Sequence, residues 1–155
     1  LRIPGPAKGV RAKRIALSAR TKGTAFYCAR WALLMIMSRF RFQDLEIWQA
    51  SIEIADKLFD IADELEKNHL YRFAEQLRAA GMSMSNNIAE GSGSNSKKEF
   101  YQFLNVARRS TFENANILIL LQKRHLVTEE KVEVLLDQLD HLCRKITNFQ
   151  RSLRD

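Results

Sequence analysis

The stretch from Ser83 to Ser94 collects residue types that hydrolytic chemistry uses: serines, two asparagines and a single carboxylate, Glu90, running into a Gly-Ser segment. A serine nucleophile needs a base within hydrogen-bond reach, a group that orients the base, and an oxyanion donor. The three histidines, His69, His125 and His141, stand on other segments, and no motif ties them to these serines. Glu90 therefore reads as an acceptor for backbone or Asn hydrogen bonds, and Asn87, Glu90 and Gly91 as a structural hinge. A Gly-rich loop ahead of a helix can hold a phosphate. Here no strand precedes it and the Lys-Ser/Thr spacing of a P-loop is missing. Carboxylate-bundle metal sites need Glu-x-x-His pairs on facing helices, and none is present. Cys28 and Cys143 are too few for a disulfide framework or a metal site, and Cys143 sits in an apolar helical pattern that suits a small buried thiol. These residues predict a protein that is not an enzyme, with no catalytic residue, no metal and no cofactor.

A second set of residues suits recognition. Lys97 and Arg108 are eleven positions apart, as are Lys98 and Arg109. Eleven residues is about three helical turns, so each pair lies nearly in line. Lys123 and Arg124 follow further along, rotated by only ~60°. With Arg78, these cations would form a stripe that tracks phosphates, and Tyr101 beside them offers a ring on which a base can stack. The competing reading is a solvated face relieved by Glu99 and Glu113.

The elements that position both sets are helical. The chain has 155 residues, the size of one domain, and only two Pro and six Gly, which permits long helices and disfavours a turn-rich β fold. A first helix is predicted over 44–66, with Asp44 as N-cap and Glu46 in the first turn. Leu45, Trp48, Ile52, Ala55, Phe59 and Ala62 recur at a bundle-seam spacing. A second line, Ile47, Ile54, Leu58, Ile61 and Leu65, lies about 110° round the same helix. With the first line taken as the core seam, the second marks either a central helix or an oligomer interface, and the interface is the expectation. A second helix is predicted over 71–90, broken from the first at Asn68-His69 and carrying Gly81, Ser83 and Ser85, small residues that permit close helix approach. Gly91 or Gly93 should end it in a left-handed cap. Ser96 and Glu99 then form a capping box for a third helix over 97–124, with polar Thr111 and Asn114 on its seam. Thr128 starts a fourth, whose seam runs from Val132 to Leu153. Short connections make successive helices antiparallel, so the expected fold is all-α, an up-down-up-down four-helix bundle.

Charge is uneven along the chain. The formal net charge is +7, yet eight of the 25 basic residues and none of the 18 acidic ones fall in residues 1–36. Residues 37–155 carry 17 against 18, a net of −1. The expected organisation is a basic extension over 1–36, disordered or not native, and a bundle domain over 37–155. Met37 looks like a natural start, which would make the extension upstream sequence; a basic nucleic-acid arm and a targeting peptide are the alternatives. The apolar run from Trp31 to Met37 is far short of the ~20 residues a membrane span needs, so no membrane partner is expected. Two scattered cysteines fit a cytoplasmic setting.

Phe42-Gln43-Asp44-Leu45-Glu46-Ile47-Trp48-Gln49, Gln76-Leu77-Arg78, Asn87-Ile88-Ala89-Glu90-Gly91 and Ser96-Lys97-Lys98-Glu99-Phe100 together resemble the four-helix-bundle proteins of the 23S rRNA intervening sequence family, relatives of the accessory protein of diversity-generating retroelements. The resemblance covers about residues 40–153. It implies a four-helix bundle assembled as a ring-like homopentamer, and for some members a partner that is structured RNA or a reverse transcriptase. The family commonly has Pro where Ser85 stands, a second Arg where Ala79 stands, and Gly where Arg109 stands. The basic patch is thus altered, with Arg109 adding charge on the third helix. The expected function is a non-enzymatic homo-oligomeric bundle that binds RNA or other nucleic acid along its third helix. The alternative is a protein-interaction scaffold, such as a reverse transcriptase accessory subunit, without nucleic-acid binding of its own.

Overall fold

The computed structural model of the protein describes residues 39–154. The expectations for residues 1–36 and for Cys28 lie outside the described residues. Within Phe40–Asp155, a compact unit, a short 3-10 turn at Arg41–Asp44 leads into four α-helices: α1 Glu46–Lys67, α2 Tyr71–Ser92, α3 Lys97–Lys123 and α4 Glu129–Ser152. No strand occurs among the described residues. The fold is an all-α bundle in which each helix packs on the next and α4 closes against α1. Lys131 at the start of α4 pairs with Glu64 near the end of α1, and Lys145 late in α4 pairs with Glu46 at the start of α1. Gln150 near the end of α4 likewise reaches the Tyr101 carbonyl at the start of α3. These cross-links run the helices antiparallel.

The helix starts differ from expectation in one place. Asp44 ends the 3-10 turn, and Leu45, with no side-chain cap bond, is the N-cap of α1. The turn explains the shift: the Gln43 side chain accepts from the Phe40 N–H and the Phe42 ring packs on Trp48 at 4.9 Å, so the chain is already ordered when α1 begins. Ser96 caps α3 as expected, its Oγ accepting from the Glu99 N–H at 3.1 Å.

The two apolar lines of α1 exchange roles. Ile47, Ile54, Leu58, Ile61 and Leu65, expected at an oligomer interface, are all at most 5% exposed and form the core. The supposed seam residues Leu45, Trp48, Ile52 and Phe59 are only half-buried, while Ala55 and Ala62 are buried. A bundle helix contacts two neighbours, so its apolar arc must span about 100° or more. One line therefore points at the centre of the bundle and the other fills the groove towards α2, where Phe59 lies beside Gly81. Cys143 is a half-buried free thiol, less enclosed than its pattern implied.

The glycines of the α2 to α3 junction also act differently from expectation. Neither adopts a left-handed conformation: α2 stays helical through Gly91 to Ser92, and its C-cap Gly93 has φ −82°. Gly91 is required for space. A Cβ there would stand 2.6 Å from Phe100 Cδ2 and 2.7 Å from Phe103 Cβ. The left-handed caps fall elsewhere, on His69 (φ 62°) and His125 (φ 56°). In both connectors the following leucine N–H reaches back five residues, Leu70 to Leu65 O and Leu126 to Leu121 O, and the histidine N–H bonds Glu66 O or Gln122 O. This is the Schellman arrangement, which usually employs glycine.

Two stability outcomes follow, both readable by urea denaturation. Gly91→Ala should lower unfolding free energy by about 1–3 kcal/mol through overpacking, whereas Gly81→Ala, whose Cβ would meet nothing closer than 3.4 Å, should be neutral or raise it by up to ~1 kcal/mol. His69→Gly and His125→Gly should each raise it by up to about 1 kcal/mol, since relief of left-handed backbone strain exceeds glycine's entropy cost.

Candidate nucleic-acid interface

The serine-rich stretch is built into α2 and is no hinge. The helix runs unbroken from Tyr71 to Ser92, so Asn87, Glu90 and Gly91 occupy ordinary helical positions. Ser83, Ser85, Asn87 and Ser92 have their side chains engaged in hydrogen bonds, and Ser94 Oγ is buried without a partner among the described residues. Ser83 Oγ pairs with Ser110 Oγ of α3 at 2.8 Å, and Asn87 Nδ2 donates to the Ser83 carbonyl at 2.7 Å. Ser85 and Ser92 donate back to carbonyls three residues earlier. Glu90 was expected to accept Asn or backbone bonds. It is exposed, and Asn87 turns to Ser83 instead. His69, in the α1–α2 connector, bonds Tyr71 Oη and stands fourteen residues from Ser83, ~20 Å along the helix. No triad forms. Among the described residues no group of three or more His, Cys, Asp or Glu is placed to hold a metal.

The expected basic stripe divides. Arg78 projects from α2 towards α1, where its guanidinium donates to Asp63 and Glu66, each at 2.5 Å. The hydrogen bond to Asp63, then that to Glu66, raises its pKa above the ordinary guanidinium value. Arg78 is thus committed to two carboxylates and lies apart from the α3 cations, which corrects its inclusion in the stripe. Lys97, Lys98, Arg109 and Lys123 on α3, and Arg124 at its C-cap, are all exposed. None forms an ion pair among the described residues. Free surface ammonium and guanidinium groups remain available to an anion, whereas a paired cation must first give up its carboxylate. Glu99 and Glu113, the residues of the solvated-face reading, make no ion pair with these cations either.

Tyr101 sits towards the α4 side, and Arg108 is half-buried among neighbours on α3. Tyr101 is half-buried, its carbonyl accepts from Gln150 Nε2 at 3.2 Å, and the Arg154 guanidinium lies 4.7 Å from its ring centroid. Arg108 donates to Asn105 Oδ1 and lies 5.9 Å from the Phe112 ring centroid. Phe112 is 60% exposed. Neither Phe112 nor Arg154 is among the site residues expected from the sequence. Phe112 was detectable there, four residues after Arg108 and eleven after Tyr101, on the same helical line. Arg154 was not, because only the antiparallel return of α4 brings it to Tyr101. The other exposed apolar side chains of α3 are Val106, Ile119 and Leu120.

No helix among the described residues is long and apolar enough to cross a membrane. No curated protein matches the chain. A crystal structure of a protein of unknown function from the S23 ribosomal protein family of Bacteroides thetaiotaomicron is similar in fold, with TM-score 0.64 and 21% identity over 67% of this chain and 97% of that one. The model of the 23S rRNA-intervening sequence proteins matches residues 43–148, which takes in α1, α2, α3 and most of α4, and the chain belongs to that family.

Proposed function

We propose that the protein is a non-enzymatic, homo-oligomeric bundle of the cytoplasm that binds structured RNA or other nucleic acid through α3. The observation that carries this reading is the row of five exposed cations on α3 and its C-cap, Lys97, Lys98, Arg109, Lys123 and Arg124, none of them neutralised by a carboxylate among the described residues. A helix of 27 residues extends ~40 Å, long enough to follow several phosphates. Phosphate contacts act by releasing counterions, so each adds a modest, salt-sensitive increment. Repetition of the row on several subunits would multiply those increments by avidity. With the α1 line enclosed in the core, self-association falls to other apolar surface, and Val106 and Leu120 on the outer side of α3 suit it.

The same exposed apolar residues favour a second reading, in which α3 docks a protein partner, such as a reverse transcriptase, and the bundle serves as a scaffold. The two readings separate on one pair of substitutions. In filter binding with a structured RNA at low salt, the full chain should retain RNA with an affinity that falls steeply as salt rises. Lys98→Glu with Arg109→Glu should lower that affinity at least ~10-fold and flatten the salt dependence. No retention by the unaltered chain counts against nucleic-acid binding and leaves the scaffold. Light scattering on the same sample checks assembly, and a monomer would remove the avidity argument.

A further inference from the structure

Lys97, Tyr101, Arg108 and Phe112 recur at spacings of four, seven and four residues, which places all four within about 60° of one another on the surface of α3. The line alternates cation, ring, cation, ring, and no carboxylate falls on it. Each ring has a guanidinium over it. Arg154 reaches across from the end of α4 to Tyr101 at 4.7 Å, and Arg108 lies by Phe112 at 5.9 Å. Phe112, at 60% exposed, is among the most exposed large apolar side chains of the described residues. Nothing in the fold requires an aromatic at Phe112: the helix buries its far face through Ala107, Asn114 and Leu121, and Leu104 and Thr111, which interleave with the line, form its buried inner edge.

We propose that this line is a stacking platform for an unpaired nucleic-acid strand. Bases stack on exposed aromatic rings and on guanidinium planes, which every base can do because every base has a π-face. Tyr101 and Phe112 are eleven residues apart, ~16 Å along the helix, with Arg108 between them, so successive nucleotides can use the Arg154 guanidinium held over Tyr101, the Arg108 guanidinium and the Phe112 ring in turn. Lys97 at the start of the line, and Lys98 and Arg109 beside it, take the phosphates. A duplex keeps its base faces stacked inside and can offer this line only its backbone. The proposal rests on the reading of α3 as a nucleic-acid face and adds which strand form that face selects.

Fluorescence anisotropy with the full chain tests it, using a labelled 15-nucleotide U-rich RNA, the equivalent DNA strand, and a hairpin RNA duplex. The unpaired RNA and DNA should both bind more tightly than the duplex at the same salt. Phe112→Leu should weaken unpaired-strand binding by roughly 5- to 100-fold, the range seen on removing one stacked base contact. It should leave duplex binding and the salt dependence unchanged, and Phe112→Trp should restore the affinity. Tyr101→Leu should act in the same direction. Phe112 is exposed, so circular dichroism should show both Phe112 variants folded. Equal binding of strand and duplex, or a Phe112→Leu variant that binds the strand as the unaltered chain does, overturns the stacking platform alone. A preference for RNA over DNA with no effect of Phe112→Leu also overturns it, since the selection would then rest on the ribose hydroxyl. Failure of all three probes to bind overturns it together with the reading of α3 on which it rests.

Discussion

A helix in a four-membered bundle has two neighbours, and every one of the four must present an apolar arc wide enough for both. This constraint organises the protein. In α1 it draws on both apolar lines: Ile47, Ile54, Leu58, Ile61 and Leu65 are buried in the core, and of the second line Ala55 and Ala62 are buried while Phe59 packs beside Gly81 of α2. Fully burying side chains such as Leu58 and Ile61 contributes about 1.5–3 kcal/mol each. The second line is therefore part of what holds a single chain together, and the surface left for other molecules is set by what the core has not used. That remainder is concentrated on α3, where Val106, Phe112, Ile119 and Leu120 stay exposed among unpaired cations.

The α2–α3 seam shows the same economy with different side chains. Across it Gly91 of α2 meets Phe100 and Phe103 of α3 and Ser83 meets Ser110, and the small or polar Ala80, Ser85, Ala107 and Asn114 are among the buried residues of the two helices. The polar members bond locally or to each other: Ser83 to Ser110, Thr111 to the Arg108 carbonyl, Asn114 Nδ2 to the Ser110 carbonyl. A fully buried amide such as Asn114 costs stability, and polar groups of this kind can fix helix register. At the end of the seam the missing Cβ of Gly91 admits Phe100 and Phe103, so α3 turns back directly on α2. The serine-rich stretch thus suits close packing: Ser85 and Ser92 bond backbone carbonyls, Ser83 bonds Ser110, and Ser94 Oγ is buried without a partner among the described residues.

Surface charge divides by the same geometry. Cations that face a neighbouring helix meet its carboxylates, as Arg78 meets Asp63 and Glu66, Lys131 meets Glu64, and Lys145 meets Glu46. The most acidic helix, α1, with Glu53, Asp56 and Asp60 among its carboxylates, lies diagonally across the bundle from α3. The carboxylates of the adjacent α4, Glu129, Glu130, Glu133, Asp137 and Asp140, form no ion pair with the α3 cations.

The residues by themselves determined four helices, their approximate spans, the Ser96 cap and the antiparallel order, because apolar periodicity, capping chemistry and short connectors are local properties of the chain. The family was legible for the same reason, its motifs being short and in fixed order. The cations of α3 could be placed on one stripe because a single helix converts spacing into direction. Tertiary structure decided which of the two α1 lines is central, because that depends on how many neighbours a helix has. It also decided that Arg78 is neutralised, that Gly91 is needed for the Phe100 and Phe103 contacts, and that Arg154 covers Tyr101. Each of these is a contact between helices distant in sequence, and no helical period encodes which partner will stand opposite.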